Sequence, residues 1–168
     1  MNTQIFFAIN HLAGQWVWLD KLGVFFAEYL IYLFAVMVVL LWFKRDLRKH
    51  VYLAIVSAIV SRLIIVEVLK RLVNHPRPYE IVPGIHQILT DSEHGMSFPS
   101  GHAVILFSLA FAFYGTRYFW PAVILATLGS VSRVFVGVHF PLDILASVVI
   151  ALLTVWLIKR LFKNKLLR

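Results

Sequence analysis

Residues 22–43 read LGVFFAEYLIYLFAVMVVLLWF, and they are followed at once by Lys44, Arg45, Asp46, Leu47, Arg48, Lys49 and His50. The stretch has 22 residues and a single charge, Glu28. About 20 apolar residues in a helix cross the ~30 Å of bilayer hydrocarbon, so this segment has the length and composition of a transmembrane helix. The basic cluster behind it is a stop at the membrane surface.

The same reading extends along the chain. Four more apolar segments, about 51–70, 101–116, 119–138 and 142–162, give five candidate spans, the third of them short. Of 168 residues 61% are hydrophobic and only 14% charged, with a mean hydropathy of +0.84. So few charges cannot cover the surface of a soluble domain, and the apolar surplus faces lipid. The fold class expected is all-α, a polytopic helix bundle forming one membrane-embedded domain over residues 1–168. Ile5, Phe6, Ile9 and Leu12 have helical spacing, but Asn10, His11, Gly14 and Gln15 interrupt them. Residues 1–19 therefore read as an amphipathic helix lying at the interface, with Trp16, Trp18 and Asp20 at the headgroups. The N-terminus lacks the basic region and cleavage site of a signal peptide, so no removal is expected. The chain has no cysteine, which excludes disulfides and thiolate chemistry.

A net charge of +8 would suggest nucleic acid in a soluble protein. Its distribution says otherwise. Lys44, Arg45, Arg48, Lys49, Arg117, Lys159, Arg160, Lys163, Lys165 and Arg168 fall on one side of a five-span topology, opposed only by Asp46. The positive-inside rule makes that side cytoplasmic, including the tail 159–168. The polar connection 71–98 and the turn 139–142 then face outward. The charge encodes topology, and no nucleic-acid partner is expected.

With those ten cations assigned, a second polar group remains at the outer ends of the spans: Lys70, Arg77, Ser100, Gly101, His102, Arg133, His139 and Asp143. Singly each has an ordinary role: Lys70 can snorkel, His102 can sit at the interface and Asp143 can start a helix. Together, three cations beside two histidines describe an anion pocket with an acid and a nucleophile. Pro99, Ser100, Gly101 and His102 lead into an apolar helix, whose N-terminal N–H groups and dipole suit a phosphate oxygen. If Pro141 begins the last helix, Asp143 lies in its first turn and can reach back to orient His139. Metal binding is the rival use of the histidines, but three neighbouring cations would repel a divalent ion.

The pattern Lys70-x6-Arg77-Pro78, then Pro99-Ser100-Gly101-His102, then Ser132-Arg133-x5-His139-x3-Asp143 resembles the three signature motifs of the type 2 phosphatidic acid phosphatase superfamily. That resemblance implies a phosphohistidine at His139, assisted by Asp143, with His102 protonating the leaving oxygen. It implies that Lys70, Arg77, Ser100, Gly101 and Arg133 hold the phosphoryl oxygens, and that neither metal nor cofactor is needed. A lipid phosphate is the expected partner, since a headgroup can enter a pocket at the membrane surface while its tail stays in the bilayer. Ala8-Ile9-Asn10, Leu19-Asp20 and Phe25-Phe26-Ala27-Glu28-Tyr29 are similar to the bacitracin-resistance undecaprenyl-diphosphate phosphatases within that superfamily. Some of these carry Asp where this chain has Gly101. The resemblance implies a bacterial inner-membrane location and release of phosphate outside. Phosphatidylglycerol phosphate, phosphatidic acid and lipid A are alternative substrates in the same superfamily.

Charges inside the spans need partners. Glu28, Arg62 and Glu67 are expected to pair or to touch a wet cavity, and Glu67 is one turn from Lys70. His75, His86 and His94 read as solvated loop residues. A transporter with a His and charge relay is the rival from another class, but it would spread polar residues through the membrane depth instead of gathering them at one face.

Overall fold

A computed structural model describes residues 2–89 and 95–162. His94 and the tail cations Lys163, Lys165 and Arg168 lie outside the described residues. Among the described residues the secondary structure is wholly helical. Helix α1 is Asn2–Asn10. Helix α2 is Val17–Trp42, with a π-helical segment at Phe25–Tyr29. Helix α3 covers 48–73 and is π-helical over Val60–Val66. A single turn, α4, follows at Pro78–Ile81. Helices α5, α6 and α7 are Gly101–Ala112, Phe119–Phe135 and Pro141–Leu161.

Three helical stretches are long and apolar enough to span a bilayer: Val17–Trp42, the stretch Arg45–Ile81 that contains α3, and Pro141–Leu161. The first begins five residues earlier than the apolar run suggests. Trp18, Asp20 and Lys21 look like flanking polar sequence, yet they continue the helix, and Asp20 Oδ1 accepts the Gly14 N–H at 2.9 Å across the incoming turn. The third expected span is shorter than anticipated. Helix α5 has 12 residues, about 18 Å at 1.5 Å per residue, which is less than the hydrocarbon thickness. Nine of those residues are buried, against α3, α6 and α7. Its apolar character serves a protein core, so a span-like sequence produces the central helix of the bundle. Residues 71–81 are also more ordered than a polar loop: α3 runs on to Val73, Asn74 takes a left-handed conformation (φ 45°), and α4 follows.

The bundle is dressed for lipid. Val39, Leu40, Leu63, Ile64, Leu153 and Trp156 are all more than half exposed, whereas Ser57, Ser61, Ser108, Ser147 and Ala151 are buried. Small residues let helices approach where hydrocarbon offers no hydrophobic drive for association. Ser61 Oγ and Ser108 Oγ meet at 3.0 Å between α3 and α5. Gly129 marks a close approach of α6 to α2: a Cβ there would lie 2.8 Å from side-chain atoms of Leu30 and Leu106 and 3.3 Å from the Phe26 carbonyl. Gly129→Ala is accordingly expected to cost about 1–3 kcal/mol through overpacking, seen as a lower melting temperature in detergent.

Helix α1 does more than rest on the surface. Phe6 is fully buried, with its ring 5.5 Å from that of Phe140. Asn10, read from sequence as an interruption of the apolar stripe, is fully buried as well. Its amide donates to the carbonyls of His86 and Phe135 at 2.8 Å each, and its oxygen accepts the His86 N–H at 3.0 Å. Asn10 thus fastens the 85–89 segment and the end of α6 to one another, at the end of the bundle where the motif residues lie.

Candidate active site

Two turns of the same design build this end. Arg77-Pro78-x-Glu80 and Phe140-Pro141-x-Asp143 each place proline at the first helical position and an acid at the third. Proline there is pre-set for the helix and has no N–H to leave unsatisfied. The acids reach back: Glu80 Oε2 accepts the Arg77 N–H at 3.0 Å, and Asp143 Oδ2 accepts the Phe140 N–H at 2.8 Å. Arg77, and Phe140 that follows His139, are therefore each held on a fixed backbone.

His139 arrives from α6 through a left-handed turn at Gly137 (φ 84°), closed by Val138 N donating to Arg133 O at 3.1 Å. A Cβ on Gly137 would come within 3.0 Å of the His86 carbonyl, so both conformation and space require glycine. His139 and Asp143 are 1% and 2% exposed, and His139 Nδ1 lies 3.5 Å from Asp143 Oδ2. Ser97 completes the group: its hydroxyl donates to Asp143 Oδ2 and lies 3.4 Å from His139 Nδ1. Ser97 was missed in the sequence. It stands three positions before Ser100, outside the motif, and the only signal was a small polar residue within the apolar run Met96 to Pro99.

Two arginines flank the imidazole. Arg77 is fully buried and donates through Nε to Gly95 O at 2.8 Å and through Nη1 to Val138 O at 3.3 Å. Arg133, 1% exposed, donates through Nη1 to Ala27 O at 3.1 Å. Ala27 belongs to the π-helical segment of α2, where the changed hydrogen-bond register makes a carbonyl available to a side chain. Burial, reinforced by Arg133 and Arg77, pushes His139 down from 6.5 to about 4, against the opposing pull of Asp143. The imidazole is neutral at pH 7.

Ser100 is buried and caps α5, its Oγ accepting the Ala103 N–H at 3.4 Å. Ser147 Oγ bridges the carbonyls of Ser100 and Asp143, at 3.0 and 2.6 Å, and so ties the start of α5 to α7. The contacts thus bring together Arg77, Ser97, Ser100, Arg133, His139 and Asp143. Gly101 is buried and His102 half-buried in the first turn of α5, and Lys70 is half-buried in the last turn of α3. Among the described residues there is no group of three or more His, Cys, Asp or Glu side chains able to hold a metal ion. The in-span charges divide: Arg62 Nη1 pairs with Glu67, so Glu67 holds Arg62, while half-buried Glu28 has no ion-pair partner among the described residues.

The pattern of the PAP2 superfamily matches residues 51–167. The chain belongs to that superfamily. The undecaprenyl-diphosphatase BcrC of Bacillus subtilis is 33% identical over 157 residues, which cover 91% of this chain and 80% of the relative. An undecaprenyl-diphosphatase of Sulfolobus acidocaldarius is 34% identical over 154 residues, 87% of this chain and 71% of its own. Among solved structures, LpxE of Aquifex aeolicus superposes with a TM-score of 0.80 at 26% identity, covering 93% of both chains. The PAP2-type phosphatidylglycerolphosphate phosphatase of Bacillus subtilis shares the fold, with a TM-score of 0.67 over 97% of this chain and 87% of its own. This PAP2 protein is a membrane lipid phosphatase.

Proposed function

We propose that the chain hydrolyses undecaprenyl diphosphate to undecaprenyl phosphate and inorganic phosphate, with His139 as the nucleophile. The observation that carries this reading is the buried Ser97, Asp143 and His139 group lying beside Arg77 and Arg133. Phosphoryl transfer needs an in-line nucleophile, a proton for the departing oxygen and fixed positive charge for the equatorial oxygens. With its Nδ1 proton directed at Asp143, His139 keeps the Nε2 lone pair for phosphorus. Nε2 bonds to the terminal phosphorus as the bond to the bridging oxygen breaks, and His102 supplies the proton to undecaprenyl phosphate. Water then attacks the phosphohistidine, giving its proton to His102 and returning His139 neutral. Arg77, Arg133, Lys70, Ser100 and the Gly101 backbone hold the phosphoryl oxygens.

The choice of undecaprenyl diphosphate rests on the names of the relatives at 33% and 34% identity. Sidedness follows from charge. Lys44 and Arg117 both reach the Tyr118 hydroxyl, at 2.9 Å each, so two basic turns meet at the end of the bundle away from the candidate site. We read that end as cytoplasmic in a bacterial inner membrane, with the site facing outward. Phosphate release by purified protein from undecaprenyl diphosphate, phosphatidylglycerol phosphate and phosphatidic acid, with and without chelator, tests the reading. The expected order puts the diphosphate first and leaves the rate unchanged by chelator. A preference for either monoester would overturn the substrate, and no release from any of them would overturn the enzyme.

A further inference from the structure

The geometry points to Arg62, outside all three motifs, as the residue that binds the second phosphate of a diphosphate substrate. This rests on the diphosphatase reading above and adds a specificity determinant to it. Arg62 lies in the second apolar segment, where placing a cation is expensive. It sits within the π-helical segment Val60–Val66 of α3. Residues five apart lie on different faces of an α-helix, but the i→i+5 register of a π segment brings them over one another. Arg62 and Glu67, five apart, are so paired.

The rest of the guanidinium points elsewhere. A Cβ on Gly101 would lie 2.7 Å from Arg62 Nε and 3.1 Å from its Cδ, so the side chain is laid against the first residue of α5. Among the described residues only Nη1 is engaged, by Glu67. The side chain is 31% exposed, so it can be reached from outside. Gly101 directly precedes His102, the residue assigned to the departing oxygen, and the α5 N-terminus already favours anions. Arg62 thus stands on the leaving-group side, whereas buried Arg77 and Arg133 stand by His139. In a monoester that departing group is an alcohol, with no phosphate of its own at the bridging oxygen. In a diphosphate it is a second phosphate, for which a guanidinium supplies fixed charge and paired donors. Gly101 has no side chain to keep the guanidinium and an anion apart.

The test compares wild type with Arg62→Gln, Arg62→Lys, Glu67→Gln and the double variant Arg62→Gln/Glu67→Gln, which removes the orphaned carboxylate. Turnover of undecaprenyl diphosphate is measured together with inhibition by orthophosphate and by non-hydrolysable methylenediphosphonate. Loss of Arg62 is expected to raise KM for the diphosphate and Ki for the diphosphonate by about 10- to 100-fold, the range for a charge-assisted hydrogen bond. Inhibition by orthophosphate should not move, Arg62→Lys should retain part of the affinity, and Glu67→Gln should cost less than either glutamine variant of Arg62. Equal weakening of both inhibitors, equal losses in Glu67→Gln and Arg62→Gln, or no change on losing Arg62 would overturn the role of Arg62. Failure of the wild type to hydrolyse the diphosphate would instead overturn the diphosphatase reading.

Discussion

Replacing His139 by alanine is expected to abolish turnover, by about 10⁵- to 10⁶-fold, the scale at which loss of a covalent nucleophile leaves only binding and electrostatics. The fold should survive. Asp143 keeps its bonds from the Ser97 hydroxyl and the Phe140 N–H, so no buried carboxylate is orphaned. The turn that delivers residue 139 is held by Gly137 and the Val138 to Arg133 backbone bond, not by the imidazole. A near-wild-type melting temperature with no phosphate release, and no radiolabel retained on the protein after brief exposure to labelled substrate, is the expected pair of results. Substantial residual turnover by this variant would transfer the nucleophile to another residue, with His102 the first to test.

The parts legible in the sequence are those with a local cause. Apolar length gave the spanning helices, and the proline and acid spacing of Phe140-Pro141-x-Asp143 gave the turn that brings Asp143 back towards His139. What escaped has non-local causes. Helix α5 reads as a short apolar span, and that nine of its residues are buried between α3, α6 and α7 is decided by those neighbours. Asn10 breaks an apolar stripe in sequence, and its three bonds go to residues 76 and 125 positions away. Ser97 is silent for the same reason, since its partner Asp143 lies 46 residues on. The π segments are invisible to a 3.6-residue period, yet one supplies the Ala27 carbonyl to Arg133 and the other aligns Arg62 with Glu67. That Arg62 and Glu67 would pair or touch a wet cavity followed from the cost of charge in a span, while their pairing with one another and the contact with Gly101 needed coordinates.

Asp143→Asn tests the electrostatics of the site as well as its geometry. The carboxylate accepts from Ser97 and from Phe140 N, and it faces His139 Nδ1. An asparagine whose oxygen stays at the Oδ2 position keeps all three contacts, because the Phe140 N–H, the Ser97 hydroxyl and His139 Nδ1 all meet that one atom. The Nδ1–H tautomer is therefore retained and what is lost is the negative charge that offsets the imidazolium of the phosphohistidine, so kcat should fall by about 10²- to 10³-fold, the scale of losing one electrostatic contact in the transition state. The pH dependence has a definite sign. Wild-type His139 must be neutral to react, and burial with Arg133 and Arg77 nearby sets its transition at about 4 instead of 6.5. The acid limb of kcat/KM, which reports the free enzyme, should therefore fall near pH 4. Asp143 opposes that shift by favouring the imidazolium, so removing its charge should carry the residual acid limb lower still. Stability follows the same linkage: the unfolded chain takes up a proton near 6.5 and the folded chain only near 4, so wild-type stability should decline as pH falls through that window. His139→Ala should lose that part of the decline. An acid limb that stays near pH 4 in Asp143→Asn would mean that the carboxylate holds the imidazole by geometry alone.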